Sequence, residues 1–304
     1  MLTYEESVIA YLRQNRTGTR REIARFLGVS TVKAGQTVDF LLENHFFLQK
    51  PKVSDARGRR AGILSLSDEI LLPVLDMTGD VFSLRLMTLS GQCADERPFL
   101  HNRYFTREEN AAAFIRNAAL YLKRRLPNPP FRCAAILTPF SYYERSFADY
   151  CSEDLIRHQL AALMPGWTTL LCNDAEAGAA ALSIRSAPRP DALIAIKSDR
   201  AFAAFPNGRE PLDLSAYFDN GQSLVEIFAE NNTPALSAFF AHAALFLAAE
   251  RFLVDRQGKT LPTPAGGKPL LIPLPTEEQF YTFGASLLLL KQLIITATHC
   301  KGDS

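Results

Sequence analysis

No two cysteines in this chain stand at the Cys-x-x-Cys spacing, and no apolar run reaches the length of a bilayer. The five cysteines (Cys93, Cys133, Cys151, Cys172, Cys300) are odd in number and scattered. That excludes a disulfide framework and reads as reduced thiols in a cytoplasmic protein. The five histidines (His45, His101, His158, His242, His299) are equally dispersed. None has ligand spacing, so no metal site is expected. His242, inside an apolar segment, reads as a packed core residue. A Gly-rich dinucleotide loop and a nucleophile elbow are missing too, and no cofactor is expected. Glu5 and Glu6 precede any apolar run, so no secretory signal is expected in this stretch. The most apolar stretch, Ala235 to Ala249, carries His242 and stops at Glu250-Arg251. It is too short to span a membrane and reads as a buried helix.

What is present is the composition of a globular chain: 304 residues, 47% hydrophobic and 21% charged. Two or three compact units are expected at this length. The net charge of +1 hides an asymmetry, because residues 1–66 carry eleven Lys/Arg against six Asp/Glu. The head is therefore +5 and the remainder −4. A basic head on a mildly acidic body points to a polyanionic partner for the head alone.

The chain is organised around Thr19 to Gly62. Thr19 and Glu22 form a capping box that opens a helix with Ile23, Ala24, Phe26 and Leu27 on its apolar face. Gly28 supplies a left-handed break, Val29 plugs the corner, and Ser30 caps a second helix from Thr31 to Glu43. Ala34, Val38, Leu41 and Leu42 face inward with Thr37 at the edge; Thr31, Val32, Lys33, Gly35, Gln36 and Asp39 face outward. A helix over residues 3–14 backs the pair through Val8, Ile9 and Leu12. Strands at Phe46–Leu48 and Ile63–Leu66 flank a turn carrying Lys50, Lys52, Arg57, Arg59 and Arg60. Two strands with a cationic tip after a helix-turn-helix make a winged helix, whose arginines suit a narrow minor groove.

From Pro73 the pattern turns to strands: Val74–Asp76, Val81–Leu89, and a third before Asn102. A capping box at Thr106 and Glu109 opens a helix to Arg125. A strand at Cys133–Leu137, a helix at Leu155–Leu163 and a strand at Thr168–Leu171 lead to a turn and small-residue helix over Cys172–Ile184. A second half repeats the scheme. It has a hairpin of Ala192–Ile196 and Ala201–Phe205, a helix from Thr233 to Val254, a strand at Pro269–Ile272, and a closing helix from Thr276. The boundaries follow as 1–70, 71–185 and 186–304, in an α/β chain.

With the winged helix, the Asp76 hairpin and the turn Asn173-Asp174-Ala175-x-Ala177 in this order, the chain resembles the ROK family of repressors and sugar kinases. The resemblance implies a two-lobed, actin- and hexokinase-like (ribonuclease H-like) body behind an N-terminal winged helix-turn-helix. Asp174 matches the family's general base toward a sugar hydroxyl, and Asn173 a sugar-binding position. Read as residues alone, an Asn-Asp pair between a strand and a helix is a helix cap. The departures are substantial. The first phosphate loop, Asp-x-Gly-Gly-Thr in family kinases, stands here as Asp76-Met77-Thr78-Gly79-Asp80, where a second carboxylate repels phosphate. The second reads Lys197-Ser198-Asp199-Arg200 without glycine, and residues 209–232 hold neither the Cys-rich zinc loop nor the His of the sugar clamp. Where the family ends its recognition helix with Gly, this chain has His45, and Asn44 is expected to take the left-handed turn instead.

The expectation is a DNA-binding transcriptional regulator, a repressor in the first instance, whose body has lost kinase chemistry and keeps Asp174 as a vestige. Ser30, Thr31, Lys33 and Gln36 meet the major groove, Arg20 and Arg21 the phosphates, and Lys52, Arg57, Arg59 and Arg60 the wing side. Asp76, Asn173 and Asp174 are candidate residues for a sugar-like effector. A homodimer on a palindromic operator is expected, paired through the apolar helix around Phe239 to Phe252. The rivals are a sugar kinase that retains a winged helix and a protein-interaction scaffold.

Overall fold

The computed structural model describes residues 3–51, 62–79, 81–139, 153–184, 190–196, 201–206, 208–215, 218–219, 222–230, 232–255, 261–262, 268–274 and 279–299. The fold is mixed α/β. Three helices come first: α1 (Tyr4–Asn15), α2 (Arg20–Leu27) and α3 (Thr31–Glu43). Thr3 and Thr19 each make a full capping box, with Glu6 and Glu22, and Ser30 caps α3. These caps satisfy backbone donors that a helix start leaves open. Gly28 closes α2 at φ 65°, the left-handed position only glycine takes without strain. A small sheet accompanies the helices, with β1 (Thr17–Gly18), β3 (Gly62–Leu66) and β2 (Phe47–Pro51) side by side and antiparallel. The two-residue β1 was not expected; it is too short to show a period. Phe26 lies outside the core, half exposed and against the Tyr11 ring at 4.9 Å.

Two five-stranded sheets follow. The first contains β4 (Leu71–Asp76), β5 (Phe82–Thr88), β6 (Cys93–Phe99), β7 (Cys133–Thr138) and β8 (Thr168–Asn173), in the order β6-β5-β4-β7-β8. The second contains β9 (Ala192–Ile196), β10 (Ala201–Ala204), β11 (Leu212–Asp213), β14 (Arg251–Asp255) and β15 (Leu270–Pro273), in the order β11-β10-β9-β14-β15. In both, three antiparallel strands are extended by two parallel ones, so the repeated scheme is a repeat of topology. A small pair, β12 (Phe218–Asp219) and β13 (Gln222–Ser223), stands apart.

The remaining helices are α4 (Arg107–Arg125), α5 (Glu153–Leu163), α6 (Asp174–Ser183), α7 (Leu224–Ala229), α8 (Thr233–Leu247) and α9 (Gln279–His299). Strand alternation distributes them. Leu75, Phe82, Leu84 and Ile136 turn to α4 and α5, whereas Leu72, Val74, Ala135 and Leu137 turn the other way, to α6 and α9. In the second sheet Ala192, Ile194 and Phe252 pack on α7 and α8, whereas Leu193, Ala195 and Leu253 meet α6 and α9. Helices α6 and α9 are thus the filling between two sheets. The core of α1–α3 is continuous with that filling, and Phe46 stacks on Phe131 at 5.0 Å.

Three expectations need correction. The helix placed over Thr233 to Val254 ends at Leu247, Ala248 turns left-handed at φ 52°, and Arg251–Asp255 is a central strand. Phe252-Leu253-Val254 is a short apolar run, which periodicity alone does not separate from helix. His242 is exposed and not in the core. At the end of α3, His45 takes the left-handed turn at φ 63°, whereas Asn44 stays at φ −93° and spends its side chain on the Phe40 carbonyl at 2.8 Å. Among the described residues one helix, Gln279–Thr298, is long and apolar enough to cross a membrane; half of it is buried inside the fold.

Candidate functional site

The outer face of α3 is set by its inner one. Ala34, Val38 and Leu41 are fully buried, and helical geometry then leaves Thr31, Val32, Lys33, Gln36 and Asp39 exposed. Ser30 is used as the cap, its hydroxyl accepting from the Lys33 amide at 3.2 Å. Lys33 holds its ammonium 5.6 Å from the centre of the Tyr4 ring. Thr37 is buried and donates to the Lys33 carbonyl at 3.3 Å. Arg21 is exposed on α2. Arg20 reaches Asp39 at 2.6 Å and the Gly35 carbonyl at 3.2 Å, tying α2 to α3. An anionic ligand at Arg20 would have to compete with Asp39. Val32, 71% exposed on this polar face, is the one large apolar side chain there. Strands β2 and β3 form the expected hairpin, with Pro51 paired to Gly62. Lys52, Arg57, Arg59 and Arg60 lie outside the described residues.

The second candidate site is where β4, β7 and β8 end. Asp76 pairs with Leu137 in the adjacent strand, and Thr138 with Asn173, so these three strand ends share one edge. Such carboxyl ends are the usual ligand position of open α/β sheets. Asn173 caps α6, accepting from the Glu176 amide at 2.9 Å, while Glu176 accepts from the Asn173 amide at 3.0 Å. Capping thus falls to Asn173, and Asp174 is the first helical residue, fully buried. Burial, followed by the nearby carboxylates of Glu176, Asp174 and Asp76, pushes the Cys172 thiol far up. Asp76, Asn173 and Asp174 are therefore gathered around Cys172, as their placement at one edge requires.

The residue that dominates this edge was not anticipated. Arg85, in the middle of β5 and 5% exposed, meets Asp76 Oδ2 at 2.8 Å and Glu96 at 2.8 Å. It also donates to Thr282 Oγ1 at 2.8 Å, and Thr282 in turn donates to Asp76 Oδ2 at 3.3 Å. Asp76 Oδ1 accepts from the Thr78 amide at 3.0 Å and its hydroxyl at 2.7 Å. Both carboxylate oxygens of Asp76 are engaged by the protein itself. The available signal was a lone charge within the apolar run of β5, since a buried cation needs a partner. Its partners come from β4, β6 and α9, which sequence spacing does not bring together. Asp80 and Lys197–Arg200 lie outside the described residues. Among the described residues no group of His, Cys, Asp and Glu could hold a metal ion.

No family model matches the chain, and no curated protein matches it. Among solved structures, the arrangement is that of ROK family proteins. A ROK family transcriptional regulator, homolog of the E. coli MLC protein, is 12% identical, with a TM-score of 0.60 over 95% of this chain and 99% of its own. The Lmo2764 protein from Listeria monocytogenes, proposed as an N-acetylmannosamine kinase, is 11% identical, with a TM-score of 0.51 over 73% of this chain and 99% of its own. A regulator and a protein proposed as a kinase thus share this fold.

Proposed function

We propose that this chain is a DNA-binding transcriptional regulator, acting as a repressor, whose ROK-type body does not phosphorylate sugars. The observation that carries it is the face of α3: a capped, exposed, polar helix start carrying Thr31, Lys33 and Gln36 beside the β2–β3 hairpin. That is the end of a recognition helix that enters a major groove. Val32 adds an apolar tip suited to a thymine methyl group. Helices α1–α3 with β1–β3 are read as a winged helix-turn-helix over residues 1–70. Arg57, Arg59 and Arg60 are assigned to the adjoining minor groove and Lys52 to the backbone beside it. The likeness to the ROK regulator supports the assignment, because a match over 95% of the chain takes in most of these residues.

Residues 71–185 and 186–304 are read as two lobes of an effector and dimerisation body. The resemblance gives a ROK kinase a first phosphate loop at this position. Asp76 is already held by Arg85, Thr78 and Thr282, which supports a loop that does not serve a nucleotide. Asn173 and Asp174 remain candidates for a sugar-like effector. Pairing as a cytoplasmic homodimer on a palindrome cannot use Phe239, Phe240 or Phe252, which are buried in their own core. Leu245 and Phe246 of α8 are exposed and are assigned to the contact.

Capture of genomic fragments by the purified chain, followed by titration of the captured DNA at rising salt, tests the proposal. Affinity is expected to fall steeply between low and physiological salt as phosphate contacts release counterions. A flat salt response, or no captured fragment, refutes DNA binding. Nucleotide-dependent phosphorylation of a hexose that is lost on Asp174→Asn would put a kinase in its place.

A further inference from the structure

Four consecutive residues of α9 each touch a different part of the molecule. Tyr281 donates its hydroxyl to Asp255 at the end of β14, in the second sheet, at 2.9 Å. Thr282 joins Asp76 and Arg85 at the edge of the first sheet. Phe283 lies beneath the Arg13 guanidinium of α1, 5.3 Å from ring centroid to Cζ. Gly284 is pressed on the Ala177 backbone of α6, where an added Cβ would overlap the carbonyl. Successive helical residues point about 100° apart, so one turn reaches four directions.

We propose that this turn is a relay, which ties the set of the α1–α3 unit to the relative placement of the two sheets, with Phe283 and Arg13 as its output. Its bearing on transcription rests on the DNA-binding role proposed for that unit; the mechanical coupling does not.

Two features make the contact responsive. First, the turn has no slack. Gly284 leaves no room against α6, and the Phe283 ring also presses on Gly91, whose φ is 89° and whose added Cβ would overlap the ring. Close-packed interiors transmit displacement instead of absorbing it. Second, Arg13 is poorly satisfied. Its Nε donates to the Leu89 carbonyl at 2.5 Å, but Nη2 has no partner among the described residues. Burial lowers its pKa to about 10. A guanidinium with no carboxylate among the described residues is costly to bury, so an arrangement that opens Nη2 to an acceptor or to water offsets part of the cost of moving Phe283. Arg13 thus has a second arrangement within reach, as a switching element requires.

Hydrogen exchange of the full chain tests the relay, comparing wild type, Tyr281→Phe, Arg13→Met and the double variant. Tyr281→Phe removes the hydrogen bond to Asp255 without removing the ring. It is expected to speed exchange of the Val8–Leu12 amides about threefold or more. In the Arg13→Met background the same substitution is expected to leave those amides unchanged. Equal exchange in wild type and Tyr281→Phe, or the same change in both backgrounds, overturns the relay. If Arg13→Met does not fold, Phe283→Leu replaces it, keeping an apolar side chain while removing the ring, under the same two criteria. DNA titration separates the two proposals: a wild-type protein that shows the exchange pattern but binds no DNA keeps the relay and loses the DNA-binding role.

Discussion

Arg85 and Asp76 meet at 2.8 Å across neighbouring antiparallel strands, with only 6% and 13% of their side chains exposed. The pair is diagonal in register, since Asp76 lies opposite Ser83 and Arg85 opposite Val74. Removing one partner of such a pair strands the other charge in the interior, at a cost of about 3–5 kcal/mol. Arg85→Met is expected to lower the unfolding free energy by roughly that amount in urea denaturation. The same variant is expected to gain no hexose phosphorylation, because the sequence still carries Asp80 where family kinases carry Thr.

On α3, Lys33→Ala and Gln36→Ala are each expected to weaken operator binding by about 1–3 kcal/mol, roughly 5- to 150-fold, when followed by fluorescence anisotropy at fixed salt. Both side chains are exposed, so the melting temperature is expected to stay within about 2 °C of wild type. Arg59→Ala combined with Arg60→Ala is expected to reduce affinity and flatten the salt slope.

His45 holds φ 63°, a conformation that costs a residue with a Cβ about 1 kcal/mol relative to glycine. His45→Gly is therefore expected to stabilise the protein by roughly 0.5–1 kcal/mol in a thermal melt. A drop in the melting temperature would show that the His45 side chain contributes more than its backbone costs.

Burial works against the charged form of Asp191, but the Glu250 and Arg251 amides and the Arg251 guanidinium outweigh it and hold the carboxyl below its ordinary value. A carboxyl lowered by folding adds stability above its unfolded pKa, near 4, and that contribution is lost as pH falls through the folded value. Asp191→Asn is expected to destabilise the protein at pH 7. The gap to wild type should close progressively below about pH 4, as measured by denaturation at a series of pH values.

Gly284 is expected to tolerate nothing larger. Gly284→Ala must push α9 off α6 or strain the Ala177 carbonyl, and overpacking of this kind costs about 1–3 kcal/mol or more. Differential scanning calorimetry reads the loss directly.

Much of the fold was legible where the causes are local. The boxes of Thr19 with Glu22 and of Thr106 with Glu109 use residues three apart, and both helices begin where those pairs place them. The inward face of α3 followed from period alone, and Ala34, Val38 and Leu41 are fully buried. The turn at Asn173-Asp174 reads as a helix cap from the sequence, and Asn173 with Glu176 makes it a full capping box. The strand Arg251–Asp255 was not legible, since only its parallel neighbours β9 and β15 make an apolar run a strand. Asp76, Asn173 and Asp174, candidates for an effector site, lie at one sheet edge. The contact of Arg85 with Asp76 depends on registers between β4, β5 and β6 and on a helix some 200 residues away, as the separation of 197 between Arg85 and Thr282 shows. Nothing in local spacing encodes that.

The continuity of the α1–α3 core with the filling between the sheets limits how such a protein can be rearranged. A DNA-reading head on a flexible tether can be exchanged between bodies with only the linker to adjust. Here Phe46 rests on Phe131 and Arg13 on Phe283, so a transplanted head brings half of an interface whose other half stays behind. Heads and bodies joined in this way have to change together, and a chimera has to carry residues 131 and 283, with their surroundings, along with the head.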